Sequence, residues 1–259
     1  MKARKEIHYL SYGQDFVVNG SQDKPLPPDY RWIRPGRCSA ALYRLGWWVY
    51  LCVSFIYLRV IKGVRTVGRR EVLRRIPRGQ GAFIYGNHTM AVGDPLQPGL
   101  FAPGRRSWAV GSPANFGTPV IGPFLHYFGF IPLPDSPSRM RPFCEALSKR
   151  CAEGGLITIY PEAHLWPYCT FLRPWPDAAV HYPVSFNAPA VTAVTTYSKP
   201  RRGRKPRITV YYRGPFTPDT SLPPTERKHA LAQELRQAMA ADIVHSTYQY
   251  YRYIKDETE

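Results

Sequence analysis

The sequence predicts an α/β fold: a mixed, mostly parallel central sheet flanked by helices, with an N-terminal membrane-interfacial helical segment. Three observations predict it. Two short apolar runs, residues 81–86 and 154–160, each end in polar residues, and an amphipathic stretch over residues 139–153 lies between them. Strands that alternate with a helix and stop at polar side chains are the pattern of a parallel sheet with a site along its carboxyl edge. Ahead of them, residues 45–58 carry no charge and include Trp47, Trp48, Tyr50, Phe55 and Tyr57.

The 259 residues fit one generous α/β domain with an appended arm. Residues 1–37 are polar, hold Pro25, Pro27, Pro28 and Pro35, and show neither helical nor strand periodicity, so they read as an irregular arm. Residues 38–62 form the helical segment. Its fourteen uncharged residues are too few to span a bilayer, which takes about 20, so it reads either as a buried core helix or as an interfacial one. The boundary-seeking aromatics favour the interface, as do the eight basic residues against one Glu71 over residues 59–78.

Residues 63–259 make the α/β domain. Residues 81–86 and Ser107–Gly111 read as strands, with the His loop between them leading into a helix. Residues 139–153 set Met140, Phe143, Cys144, Leu147 and Cys151 at helical spacing as core positions. Residues 154–160, 191–197 and 208–212 complete the strands, the last two joined by a turn with Lys199, Arg201, Arg202, Arg204, Lys205 and Arg207. Thr225 is expected to cap a final helix whose Leu231, Leu235, Met239 and Ile243 share one face.

The net charge of +17 calls for an anionic partner: nucleic acid, an acidic membrane or a phosphorylated substrate. No RNA-recognition, zinc-finger or helix-turn-helix signature accompanies it, and the aromatics cluster in an apolar segment, so no specific nucleic acid is expected. The five cysteines show no C-x-x-C pair and no zinc spacing, so neither a metal site nor a disulfide framework is expected, and a reducing compartment is the simpler reading. The basic start has no apolar run behind it and does not read as a signal peptide, which places the protein on the cytoplasmic side.

The candidate chemistry lies where the run at 81–86 breaks and delivers Asn87, His88 and, six positions on from His88, Asp94. On a regular helix six positions rotate two side chains about 120° apart. A His–Asp pair therefore requires an irregular turn, for which Gly93 is the expected source. An imidazole held by a carboxylate through its other nitrogen suits general-base removal of an alcohol proton, and no Gly-x-Ser-x-Gly nucleophile motif competes with it.

In order along the chain, four blocks resemble those of the glycerolipid acyltransferase family over roughly residues 45–200. Asn87-His-Thr-Met-Ala-Val-Gly-Asp resembles its Asn-His…Asp block, and Gly129-Phe-Ile-Pro its second. Tyr160-Pro-Glu resembles its Phe-Pro-Glu-Gly block, and Asn187-Ala-Pro-Ala-Val-Thr-Ala-Val the fourth, an apolar strand introduced by proline. Five residues separate His88 from Asp94 where the family has four, and the third block lacks its Gly and Arg. The resemblance implies a membrane-associated O-acyltransferase of phospholipid biosynthesis, with His88 as general base and Asp94 as its orienter. It implies substrate contacts at Asn87, Thr89 and Glu162, with Arg173 standing in for the missing cation. An acyl-coenzyme A or acyl carrier protein thioester would be the co-substrate, with no other cofactor, and a lysophospholipid, lysophosphatidate foremost, the acceptor. An inactive family member that binds acidic lipid is the alternative.

Overall fold

The protein was analysed as a computed structural model that describes residues 5–17, 25–34, 37–200, 203 and 205–256. Pro35, Arg201, Arg202 and Arg204 lie outside the described residues. In chain order the elements are β1 (Lys5–Tyr9), α1 (Arg37–Ser54), β2 (Arg65–Val67), α2 (Arg69–Arg75), β3 (Ala82–Gly86), α3 (Gln97–Phe101), β4 (Ser107–Gly111) and β5 (Phe130–Pro132). Next come α4 (Met140–Ala152), β6 (Leu156–Ile159), α5 (His181–Phe186), β7 (Ala190–Ser198), β8 (Arg207–Phe216), α6 (Pro224–Ile243) and β9 (Tyr251–Lys255).

Seven strands form one sheet in the order β2-β8-β7-β3-β6-β4-β5. Only the β7–β8 pairing is antiparallel. The fold class is the one expected, a mixed, mostly parallel sheet flanked by helices. β3 sits in the middle of it, and all five of its residues are buried, as a strand covered on both faces must be. Its side chains alternate between two cores. Phe83 and Tyr85 join Phe143 and Leu147 of α4 and Leu231, Leu235 and Met239 of α6 on one face. Ala82 and Ile84 join Leu58, Val72 and Phe101 on the other.

Four local expectations are corrected. Residues 5–9, read as part of an irregular arm, form β1 and pair in parallel with β9. The apolar segment is not too short to span a bilayer: α1 runs on through a π-helical stretch, Phe55–Ile61, so that Ala40–Ile61 is long and apolar enough to cross a membrane by length and composition, with a third of it buried. Arg44 and Arg59 ended the uncharged run without ending the helix. Trp47 and Tyr50, expected at a lipid boundary, face inward and stack on each other at 5.1 Å, whereas Trp48, 66% exposed, and Phe55, 58% exposed, face outward. Finally, α6 begins at Pro224 after an extended Pro223, with no side-chain cap from Thr225; proline fits the first helical turn because its missing N–H would be unpaired there anyway.

α1 packs directly on the segment after the His loop. Tyr50 Oη donates to Pro95 O at 2.9 Å and accepts from Gly99 N at 3.1 Å. Gly99 permits this approach, since a Cβ there would stand 2.8 Å from both Ser54 Oγ and Tyr50 Cε1.

Candidate active site

β3 delivers Asn87 at its carboxyl end, and the Asn87 side chain extends the sheet by one step. Its Nδ2 donates to Thr195 O at 3.0 Å and its Oδ1 accepts from Thr195 N at 2.8 Å, which imitates a backbone pair with β7. Fixing Asn87 fixes where His88 leaves the strand.

The six-residue spacing closes through a single α-type turn in which Asp94 N donates to Met90 O at 2.9 Å. Gly93 lies in this turn with φ −79° and ψ −36°, an ordinary helical conformation. Its lack of a side chain matters for a different reason: a Cβ would meet Met90 Sδ at 2.8 Å and Met90 Cβ at 3.0 Å. The turn folds Asp94 back beneath the residues that precede it. Its Oδ2 accepts from His88 Nδ1 at 2.7 Å, Thr89 N at 2.8 Å and Met90 N at 2.9 Å, and its Oδ1 accepts from Gln97 Nε2 at 3.1 Å. Asp94 is wholly buried, so four donors replace its lost hydration, as a buried carboxylate requires.

His88 lies at the surface end of this network, its side chain 21% exposed. Its ring stacks on Tyr160, with centroids 4.6 Å apart. Tyr160 Oη donates to Asp94 O at 2.6 Å; burial, and then the Asp94 charge, push its phenol well above the usual range, so it acts as a neutral donor. With Nδ1 engaged by a carboxylate, the proton sits on Nδ1 and Nε2 carries the free lone pair. Nε2 makes no hydrogen bond among the described residues.

Asn87, Thr89, Glu162 and Arg173 are all 5% exposed or less, and each makes hydrogen bonds inside the protein, while Arg173 Nε and Nη1 are buried without a partner among the described residues. Thr89 Oγ1 shares a 2.9 Å hydrogen bond with Tyr197 Oη. Glu162 and Arg173 form a buried ion pair, Nη2 to Oε2 at 2.7 Å, in which Glu162 Oε1 also accepts from Arg173 N at 3.0 Å. The pair reaches the candidate base through the backbone: His88 N donates to Glu162 Oε2 at 3.1 Å. The cation expected of Arg173 is therefore already paired, and lies over the buried Trp166 ring at 4.8 Å.

Trp166 is a part of this support that the sequence reading missed. Its backbone N donates to His88 O at 3.0 Å, and its indole Nε1 donates to Gln14 O at 2.8 Å. Tyr9 of β1 packs on its edge at 4.7 Å and Tyr253 of β9 stacks on it at 4.9 Å. The sequence carries no local signal for this, because residues near 9, 166 and 253 meet only through the tertiary fold.

Fold and site together define an α/β protein with a histidine–carboxylate dyad at the carboxyl edge of its sheet. No protein-family model matches the chain, and no curated protein matches it. Among solved structures it is similar to the crystal structure of the 1-acyl-sn-glycerophosphate (LPA) acyltransferase PlsC from Thermotoga maritima, at 13% identity, with 78% of each chain covered and a TM-score of 0.49. A likeness of that size says nothing of reaction or substrate.

Proposed function

We propose that this protein is an O-acyltransferase that moves a fatty acyl chain from an acyl thioester to a hydroxyl of a lysophospholipid, lysophosphatidate foremost, at the cytoplasmic face of a membrane. The observation that carries the reading is the 2.7 Å contact between His88 Nδ1 and Asp94 Oδ2, at the end of a block that resembles the Asn-His…Asp motif of glycerolipid acyltransferases. His88 Nε2 takes the proton of the acceptor hydroxyl as its oxygen attacks the thioester carbonyl. Asp94 steadies the imidazolium that forms; the tetrahedral intermediate then expels the thiolate, which leaves as thiol with the proton from Nε2. General-base help of this kind contributes about 100- to 10,000-fold.

The proposal requires no group beyond the thioester, supplied by acyl-coenzyme A or acyl carrier protein. Glu162 and Arg173 support the reaction by holding the His88 backbone. The exposed apolar face of α1 and its π-helical continuation, with Trp48 and Phe55, and the net charge of +17 favour an anionic membrane surface.

The test is thiol release from acyl-coenzyme A and from acyl carrier protein against a panel of lysophospholipids. Release should depend on the acceptor, and His88→Ala should lower it at least about 100-fold. Release that needs no acceptor, or that survives in the variant, refutes the proposal.

A further inference from the structure

A second concentration of charge lies at the opposite edge of the sheet. Ser107 of β4 and Ala82 of β3 both stand level with Leu156 of β6, so the residues just before β4 and β6, Arg106 and Gly155, lie at the amino edge. His88 is beyond the carboxyl end of β3, a strand length away, on the order of 20 Å at about 3.3 Å per residue.

Between these strand starts, the first turns of α1 and the end of α4 is a cavity of about 370 Å³. Arg34, Arg44, Arg106, Lys149 and Arg150 line it, and Glu153 is the one carboxylate among its lining residues. Glu153 accepts from Arg150 Nη1 at 3.0 Å and is half exposed, so the other four cations have no carboxylate partner among the described residues. Three of the guanidiniums are held in place by other means. Arg150 lies over Trp108 with its guanidinium carbon 4.3 Å from the ring, and Arg106 donates from Nη1 to Tyr43 O at 3.0 Å. Arg34 donates from Nη1 to His126 Nε2 at 3.0 Å. Burial, and then the neighbouring Arg150 and Arg44 charges, hold Arg106 below the ordinary guanidinium range.

Like charges gathered in a cavity oppose one another, and fixing two of them on aromatic and backbone partners removes their freedom to move apart. A dianion of tetrahedral shape, bound by guanidinium forks and an ammonium, relieves this repulsion. We propose that this cavity is a second binding site, separate from the dyad, for a phosphate monoester. The distance to His88 makes it no part of acceptor binding at the dyad, since a lysophosphatidate phosphate lies only a few bonds from its reacting hydroxyl. Two sources supply the group: a soluble phosphate ester, or the headgroup of phosphatidate in a membrane against which α1, which also contributes Tyr43 and Arg44, would lie.

The experiment uses the full chain and two probes, inorganic phosphate by titration calorimetry and phosphatidylcholine vesicles with or without phosphatidate by co-sedimentation. The variant is Arg44→Gln/Lys149→Gln, two exposed positions, with unchanged circular-dichroism melting as the folding control. Arg70→Gln/Arg74→Gln on α2 removes the same charge elsewhere. Phosphate binding, phosphatidate-dependent sedimentation or both should weaken about tenfold or more in the first variant and stay at the wild-type level in the second. Weakening with phosphate assigns a soluble ester, and weakening with vesicles alone assigns the lipid headgroup. Equal effects of the two variants, no effect of either, or phosphate binding lost in His88→Ala instead, overturns the proposal.

Discussion

Replacing Asp94 with Asn keeps the shape of the buried carboxylate and removes its charge. Three donors converge on Oδ2 and one on Oδ1, so the amide can enter only with its oxygen in the Oδ2 place. Its NH2 then faces Gln97, whose own amide can turn over because its Oε1 is buried without a partner. Every bond to Oδ2 survives, and His88 still donates from Nδ1 and keeps Nε2 free. The loss is the charge that steadies the imidazolium, worth about 4 kcal/mol for a contacting pair at an effective dielectric of about 20. At about 1.4 kcal/mol per tenfold, Asp94→Asn should lower kcat by about 100- to 1000-fold, while the melting midpoint stays within a few degrees of wild type. The assay is acceptor-dependent thiol release at saturating acceptor, paired with a circular-dichroism melt. A kcat within about threefold of wild type would refute the dyad, and a collapsed fold would refute the argument that the amide is accommodated.

The geometry sets three further outcomes. Trp48→Ser/Phe55→Ser should release the protein from anionic vesicles with the fold intact, whereas Trp47→Ser should cost about 3 to 5 kcal/mol of stability, read from denaturant midpoints, because Trp47 is buried against Tyr50. Glu162→Gln leaves the Arg173 guanidinium buried without its counter-charge, so it should destabilise by about 3 to 5 kcal/mol in the same assay. Burial, with Arg34 beside it, pushes His126 from 6.5 down to about 4. The unfolded chain therefore binds this proton first as pH falls: stability is full above about 6.5 and declines between 6.5 and 4, by up to about 3 kcal/mol. Denaturant midpoints across that range should show the decline, and His126→Gln, which keeps an acceptor for Arg34, should flatten it.

Much of the sheet was legible because it is buried on both faces. The run at β3 is apolar throughout, those at β6 and β7 are broken only by small hydroxyl residues, and α4 and α6 repeat their apolar residues at helical spacing. His88 was legible for the same reason: an apolar strand that ends abruptly draws attention to the polar residues at its carboxyl end. The geometry of its partner was not, since a turn that folds back on itself has no periodicity, and Gly93 permits it by making room for Met90. Which of two adjacent tryptophans faces the core is set by the docking of α1 on Pro95 and Gly99, a contact that lies some fifty positions away. β1 and β9 are short, half exposed and paired across nearly the whole chain, so neither one shows a pattern alone. The Glu162–Arg173 pair was sought as a pair of substrate contacts, because charge in a sequence does not reveal whether it is already paired.

The strand pair of β1 and β9 bears on when the candidate site can exist during synthesis. The ribosome delivers β1 first and β9 about 240 residues later, at roughly 5 to 20 residues per second. Until then Tyr9 has no Lys255 across from it, and the Trp166 that holds the His88 carbonyl lacks the Tyr253 ring that stacks on it. Local pieces such as α4 and the β7–β8 hairpin can form as they emerge, but the β1–β9 pairing cannot. Asp94 and Glu162 can already hold His88 at that stage, and β9 adds the Tyr253 ring that stacks on Trp166, the residue that donates to the His88 carbonyl.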